Sequence, residues 1–471
     1  MDLTATSAVA LARMLRTRQL SATELLAAYL GRIERINPAI NAIVTLAVEK
    51  AEADATAADK EAARGDFRGP LHGLPIAIKD IADTAGIRTT FGSPILADNV
   101  PARDSAFVAL LRRAGAIVIG KTNTPEFAIG SQTFNPVFGI TRNPYDLSRT
   151  PGGSSGGAAA AVAAGLVPFA DGSDLGASVR NPAAFCNLAG LRTTPGLVPL
   201  DETDDPFDPL SVVGPIARTP ADAALLLAGL CGRDAGLPLA RPDRPADFLD
   251  LRPAAVRGLR VAWSTDLGGL AVEPVVSEVL TGARAALEAM GCEVVDAAPD
   301  LAAADEVFQV LRALRMVSLA SLPRDRLKDT LVWNIDKGLA LTAPEIAAAR
   351  TGRTAIVRRM RAFLAGDGER PGFDLLALPT VQVAPFPVEH EWVTEIAGEP
   401  QQTYIDWMRT CSRITVTAHP AISVPAGFTP DGLPVGLQLV GPYGADRWLL
   451  RVAQAFAEAT GHADVLPPGV D

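Results

Sequence analysis

The 471-residue chain has few of the residues that most often carry catalysis. Cysteine occurs four times, at Cys186, Cys231, Cys292 and Cys411. These are too scattered for a disulfide framework or for paired zinc-ligand spacing. Histidine also occurs four times, at His72, His390, His419 and His462, with no H-E-x-x-H pattern. A G-x-S-x-G nucleophile elbow is missing too. His72, directly before Gly73-Leu74-Pro75, reads as a turn or core residue. Without a ligand cluster, no metal and no other cofactor is expected. There is no run of about 20 apolar residues, which excludes a membrane-spanning helix. The first residues are polar and include Asp2 and Arg13, not a basic segment leading into an apolar one, so no secretory leader is expected and the cytoplasm is the expected location. Lysine and arginine together number 43 against 53 acidic residues, a net charge of −10. That balance argues against nucleic acid or an anionic membrane as the main partner.

What is present is enough apolar material for a large core, 48% of the chain against 20% charged, which excludes a disordered chain. Ser21-Ala22-Thr23-Glu24 reads as a capping box. Leu25, Leu26, Tyr29, Leu30, Ile33 and Ile36 follow at helical spacing, predicting a helix to about Asn37-Pro38. A second, Ala-rich helix is predicted over roughly 43–64. Short apolar runs at 74–78, 116–119, 259–263, 375–378 and 435–440 read as buried strands of a largely parallel or mixed sheet. Helical stretches lie between them, at 105–114, 220–230, 274–290 and 445–459. This alternation predicts an α/β layered fold. The Pro-, Arg- and Asp-rich stretch 232–258 reads as a linker or lobe boundary. Residues 300–365 read as an Arg-rich helical layer near a substrate entrance, and no internal repeat is visible.

Two segments rich in glycine and serine stand out. Thr150-Pro151-Gly152-Gly153-Ser154-Ser155-Gly156-Gly157 leads into the Ala-rich run 158–164. A flexible linker is one reading, but the helical run and the apolar flanks argue against it. A phosphate loop is another, but neither G-x-x-x-x-G-K-[ST] nor G-x-G-x-x-G is present. The second segment is Asp171-Gly172-Ser173-Asp174-Leu175-Gly176-Ala177-Ser178-Val179-Arg180. It is either an ordinary tight turn or a place where the N–H groups of Leu175, Gly176, Ala177 and Ser178 converge on one oxygen, as an oxyanion hole requires. Lys79 is one of only six lysines against 37 arginines, and it follows the apolar run 74–78. Carried inward by that strand, it would lose its proton more readily and become a competent base. Otherwise it snorkels to solvent or pairs with Asp80. With histidine and metal chemistry unsupported, a serine nucleophile driven by lysine is what is left.

Together these segments resemble the amidase signature family. The resemblance runs through Gly73-Leu74-Pro75-Ile76-Ala77-Ile78-Lys79-Asp80, Gly120-Lys121-Thr122-Asn123-Thr124-Pro125-Glu126-Phe127, Asn143-Pro144, Pro151-Gly152-Gly153-Ser154-Ser155-Gly156-Gly157 and the 171–182 stretch ending Arg180-Asn181-Pro182. It continues in Val213-Gly214-Pro215-Ile216-Ala217-Arg218-Thr219, in 420–428 and in 433–438, and is thin over about 232–365. It implies an α/β amidase signature fold, with a large mixed β-sheet covered by helices on both faces. All 471 residues would form one domain, with a catalytic core at about 60–230 and 370–460 and a peripheral, mostly helical region at about 232–365.

The resemblance also implies a Ser–cis-Ser–Lys triad. Lys79 is then the base, Ser154 the bridging serine after a cis peptide bond, and Ser178 the nucleophile, with the N–H groups of 175–178 as the oxyanion hole. Ser155 is the competitor for the bridge. Ala128 and Gly153 are the expected substrate contacts. One departure is visible: the family's commonest pattern has two glycines before the nucleophile, and here they are Gly176 and Ala177, so a methyl that narrows the acyl pocket is expected. The implied activity is hydrolysis of aryl or alkyl amides, or of carbamates, through an acyl-enzyme and without cofactor. Phe134, Phe138, Trp333, Tyr404 and Trp407 are available as apolar walls. The alternatives are the glutaminase component of a tRNA-dependent amidotransferase and an inactive scaffold of the same fold. The expected partner is a small amide or carbamate, with monomer and homodimer both open.

Overall fold

Ser21 opens the first long helix as its pattern predicts. Its Oγ accepts the Glu24 N–H at 3.1 Å, and the Glu24 carboxylate accepts the Ser21 N–H at 3.0 Å. The computed structural model of the chain describes residues 2–201, 205–232, 237–250, 252–366, 368 and 371–469. The capped helix, α2 (Ala22–Ile40), follows α1 (Ala8–Arg16) and runs past Pro38 to a left-handed Asn41. The helix predicted from 43 begins later. Ile43–Leu46, rich in β-branched residues, is strand β1, and α3 spans Val48–Arg64. Next come β2 (Pro75–Lys79), α4 (Ala106–Arg113) and β3 (Ile117–Thr122). Strand β3 pairs antiparallel with β1 and parallel with β2, forming a three-stranded sheet.

A short hairpin, β4 (Phe134–Asn135) and β5 (Gly139–Ile140), precedes α5 (Gly156–Ala163), β6 (Phe169–Asp174), α6 (Arg180–Phe185), β7 (Ala189–Arg192), β8 (Val212–Ala217) and α7 (Pro220–Leu230). Then follow β9 (Arg260–Trp263), α8 (Pro274–Ala289), β10 (Glu293–Asp296), α9 (Ala304–Met316), α10 (Asp329–Leu339) and α11 (Ala343–Ala365). The chain closes with β11 (Leu375–Pro379), the hairpin β12 (Glu395–Ile396) and β13 (Glu399–Pro400), α12 (Arg409–Thr417), β14 (Ala421–Phe428), β15 (Pro434–Val440) and α13 (Asp446–Thr460). Among the described residues, no helix is long and apolar enough to cross a membrane.

Eight strands form the main sheet in the order β10-β9-β11-β15-β14-β7-β8-β6. The β10/β9 and β9/β11 pairs are parallel and the other five antiparallel. The sheet is therefore mixed and mostly antiparallel. Alternation along its central strands separates two cores. Leu375 and Ala377 of β11, Ile422 and Val424 of β14 and Leu437 and Leu439 of β15 face one core, shared with α5, α7, α8 and α13. Leu376, Leu378, Ala421 and Val440 face the other, shared with α6 and α9–α12. Helices thus cover both faces. The 232–365 stretch is mostly helical but also contributes β9 and β10 to one end of the sheet, because Val261, Ala262 and Trp263 are buried as sheet residues. Residues 233–236 and 251 of the predicted linker lie outside the described residues.

Candidate active site

Strand β2 is buried along its whole length and carries Lys79 inward, to 1% exposure. Neither alternative for this lysine holds. It does not reach solvent, and the Asp80 carboxylate instead accepts hydrogen bonds from the N–H and Oγ of Thr90. Lys79 Nζ lies 2.7 Å from Ser154 Oγ, 2.9 Å from Ser155 Oγ and 2.9 Å from Ser173 Oγ. Its own N–H donates to Asp171 Oδ1 at 3.1 Å, tying the small sheet to β6. Burial pulls the Lys79 ammonium down to about 7, against the opposing pull of the Asp171 and Asp174 carboxylates. Burial also pushes Asp171 up to about 6, opposed by the Lys79 N–H and by the cations Lys121 and Lys79.

The first Gly/Ser segment is a tight buried turn, not a linker. A Cβ at Gly153 would lie 2.8 Å from the Gln132 backbone, and one at Gly157 would lie 2.4 Å from Asn123 N. Only glycine permits these approaches. The Gly153–Ser154 peptide bond is cis. Ser154 borders a cavity of about 930 Å³. Ser155 is fully buried at the start of α5, and its N–H donates to the Ser178 carbonyl at 3.2 Å. Gly153, expected as a substrate contact, packs against Gln132 and does not line the cavity.

The second segment turns from β6 into α6 around an ion-pair knot. Asp174 takes Arg180 Nε at 3.0 Å and Nη2 at 2.9 Å, and Arg192 Nη1 at 3.3 Å, all in the interior. Burial disfavours the Asp174 anion, but the two guanidiniums outweigh it and bring its pKa down to about 2. Arg180 Nη2 also donates to the Gly176 carbonyl at 2.9 Å, as does Thr415 Oγ1 at 3.2 Å. Those two donors fix the plane of the Gly176–Ala177 peptide and hence the direction of the Ala177 N–H. Among the described residues, the N–H groups of Leu175, Gly176, Ala177 and Ser178 have no protein acceptor.

Leu175, Gly176 and Ser178 border the same cavity as Ser154 and Ser173. Ala177 is fully buried in the second core and is not part of the cavity wall, so its methyl does not narrow the cavity. Ala128 does border the cavity, in a left-handed conformation (φ 57°) next to Phe127. Apolar walls come from Ile81, Phe91, Phe127, Ile129, Phe308, Leu311 and Met408. Of the five aromatics named from sequence, only Tyr404 is a wall residue. Trp407 is fully buried and stacks on Phe185 at 5.9 Å. Ser173 and Arg180 lie inside the second Gly/Ser segment, but what they do, like what Phe308 does, depends on partners distant along the chain.

The family model described as Amidase matches residues 24–450. The chain belongs to the amidase family. It is an amidase, a hydrolase of carbon–nitrogen bonds in amides. An acylamidase of Rhodococcus erythropolis is 36% identical over 98% of this chain and 97% of that protein. A glutamyl-tRNA(Gln) amidotransferase component of Moorella thermoacetica is also 36% identical, over 98% of each. The crystal structure of a bacterial aryl acylamidase of the amidase signature family superposes with a TM-score of 0.90 at 28% identity, covering 98% of each chain.

Proposed function

We propose that this amidase cleaves small aryl or alkyl amides through a Ser178 acyl-enzyme, with Ser154 and Lys79 as its proton relay. One observation carries the reading: a buried lysine brought down to about 7 lies 2.7 Å from a serine that borders the cavity shared with Ser178. Neutral Lys79 accepts the Ser154 proton as Ser154 accepts that of Ser178, and Ser178 Oγ bonds to the carbonyl carbon. The oxygen becomes an anion facing the free N–H groups of 175–178. The proton returns through Ser154 to the departing amine, and water then releases the acid by the same relay. Carbamates present the same carbonyl and fall within this chemistry. The apolar part of the wall, Phe91, Phe127, Ile129, Phe308 and Met408, supports an aryl or alkyl group within the cavity.

A serine-directed fluorophosphonate should label Ser178, and Ser178→Ala should lose both the label and about three or more decades of kcat while remaining folded by circular dichroism. A Ser178→Ala variant that keeps a tenth of wild-type activity would overturn the assignment. A second reading, the glutaminase component of an amidotransferase, is favoured by relatives such as the Moorella protein. Copurification with the other components and glutamine-dependent amidation of a charged tRNA would establish it.

A further inference from the structure

The cavity wall holds an arginine that no carboxylate among the described residues pairs with. Arg312 of α9 is 3% exposed and borders the cavity. Its Nη2 donates to Asn334 Oδ1 and to the Tyr404 hydroxyl, its guanidinium lies over the Tyr404 ring at 5.2 Å, and its Nη1 has no acceptor. All of these contacts are to neutral groups. Among the described residues, no carboxylate forms an ion pair with it. Of the other arginines, Arg315 is paired with Asp208 at 2.5 Å and Arg413 with Asp305 at 2.6 Å, while Arg353 of α11, on the same cavity wall, donates Nε to the Val416 carbonyl at 3.4 Å and has no partner at Nη2. A buried guanidinium stays charged, and leaving it without an anion is costly. Among the described residues no carboxylate lies within ion-pair distance of it, although Asp83, Asp205 and Asp208 also border the cavity, and the cavity leaves room for a further anion.

The position relates this charge to the reaction. Phe308, one turn earlier on the same face of α9, closes over the serine loop, since a Cβ at Gly176 would lie 3.0 Å from Phe308 Cζ. Ser178, Phe308 and Arg312 thus border one cavity, so a molecule whose carbonyl sits at Ser178 and that extends along Phe308 runs toward Arg312. We propose that Arg312 is a specificity residue for amides that carry a carboxylate at the end of a short apolar spacer, and that this carboxylate completes the ion pair the fold leaves open. The proposal rests on the Ser178 reading above.

The test compares anilides of dicarboxylic half-acids with otherwise identical anilides ending in a carboxamide, on the wild-type enzyme. The carboxylate series should have a kcat/KM higher by about tenfold or more, because a charged partner strengthens the hydrogen bond and the neutral isostere leaves the guanidinium unpaired. In Arg312→Gln that ratio should collapse to about one, and Arg312→Lys should retain part of it. A wild-type enzyme that hydrolyses the carboxamide as well as the carboxylate overturns the proposal, with no variant needed. Fluorophosphonate labelling run in parallel separates the two readings. Labelled Ser178 and equal turnover of both series sinks only the role of Arg312, whereas absence of label and turnover sinks both.

Discussion

Lys79 shows how burial changes what a side chain can do. In water its amine is protonated at neutral pH and cannot act as a base. In the interior, with three serine hydroxyls around Nζ, the charged form is disfavoured and the pKa comes down to about 7. The proton must be off for the relay to start, so kcat/KM should rise through pH about 7 and level off above it. Lys79→Arg should abolish that rise and cost several decades of activity, since a guanidinium does not deprotonate. A pH–rate profile of both proteins checks this. The two neighbouring serines separate in the same way. Ser154 borders the cavity and Ser155 does not. Ser154→Ala should therefore lose at least about tenfold more kcat than Ser155→Ala, and steady-state kinetics of the pair would reverse the assignment if the order were opposite.

At the scale of elements, the turn between β6 and α6 is held from behind. Asp174 joins Arg180 and Arg192 in the interior, and Arg180 reaches on to the Gly176 carbonyl. Removing Arg180 leaves Asp174 with one cation and Gly176 with one donor. Arg180→Met should cost about 3–5 kcal/mol of stability, read from the denaturant midpoint. The same knot sets an acid limit. Asp174 sits at about 2 in the fold against roughly 3.9 in the unfolded chain. Its stabilisation is thus complete above about pH 4 and is lost as pH falls toward 2. Acid unfolding of Arg180→Met should begin at higher pH than that of the wild type.

Across the whole molecule, the sheet separates two cores, and the cavity lies between the serine loops and residues of α9 and α11. The proposed catalytic groups come from the sheet side and much of the outer wall from α9, so on this reading chemistry and substrate choice lie on different parts of the chain. Phe308 marks the boundary. Phe308→Ala should raise the kcat/KM ratio of bulky to small acyl anilides by about tenfold or more, since even one methylene in an apolar pocket is worth about that much. A ratio that does not move would place the acyl group elsewhere in the cavity.

Several of these features were determined by the sequence alone, because they are local. The capping box at Ser21, the apolar run before Lys79 and the glycines around Ser154 each act through neighbours a few residues away. Their pattern also carries the family, so the layered fold and the amide chemistry were legible. Strand β1 reads as the start of a helix, since its four residues acquire their conformation by pairing with β3 across 70 residues or more of chain. Residues 171–174, read as part of a tight turn or of an oxyanion-hole segment, belong to strand β6, which forms by pairing with β8. Ser173, Arg180 and Arg312 gain their meaning from partners that folding brings together. Whether a buried charge is matched or left open is an energy of three-dimensional surroundings, and only the tertiary structure decides it.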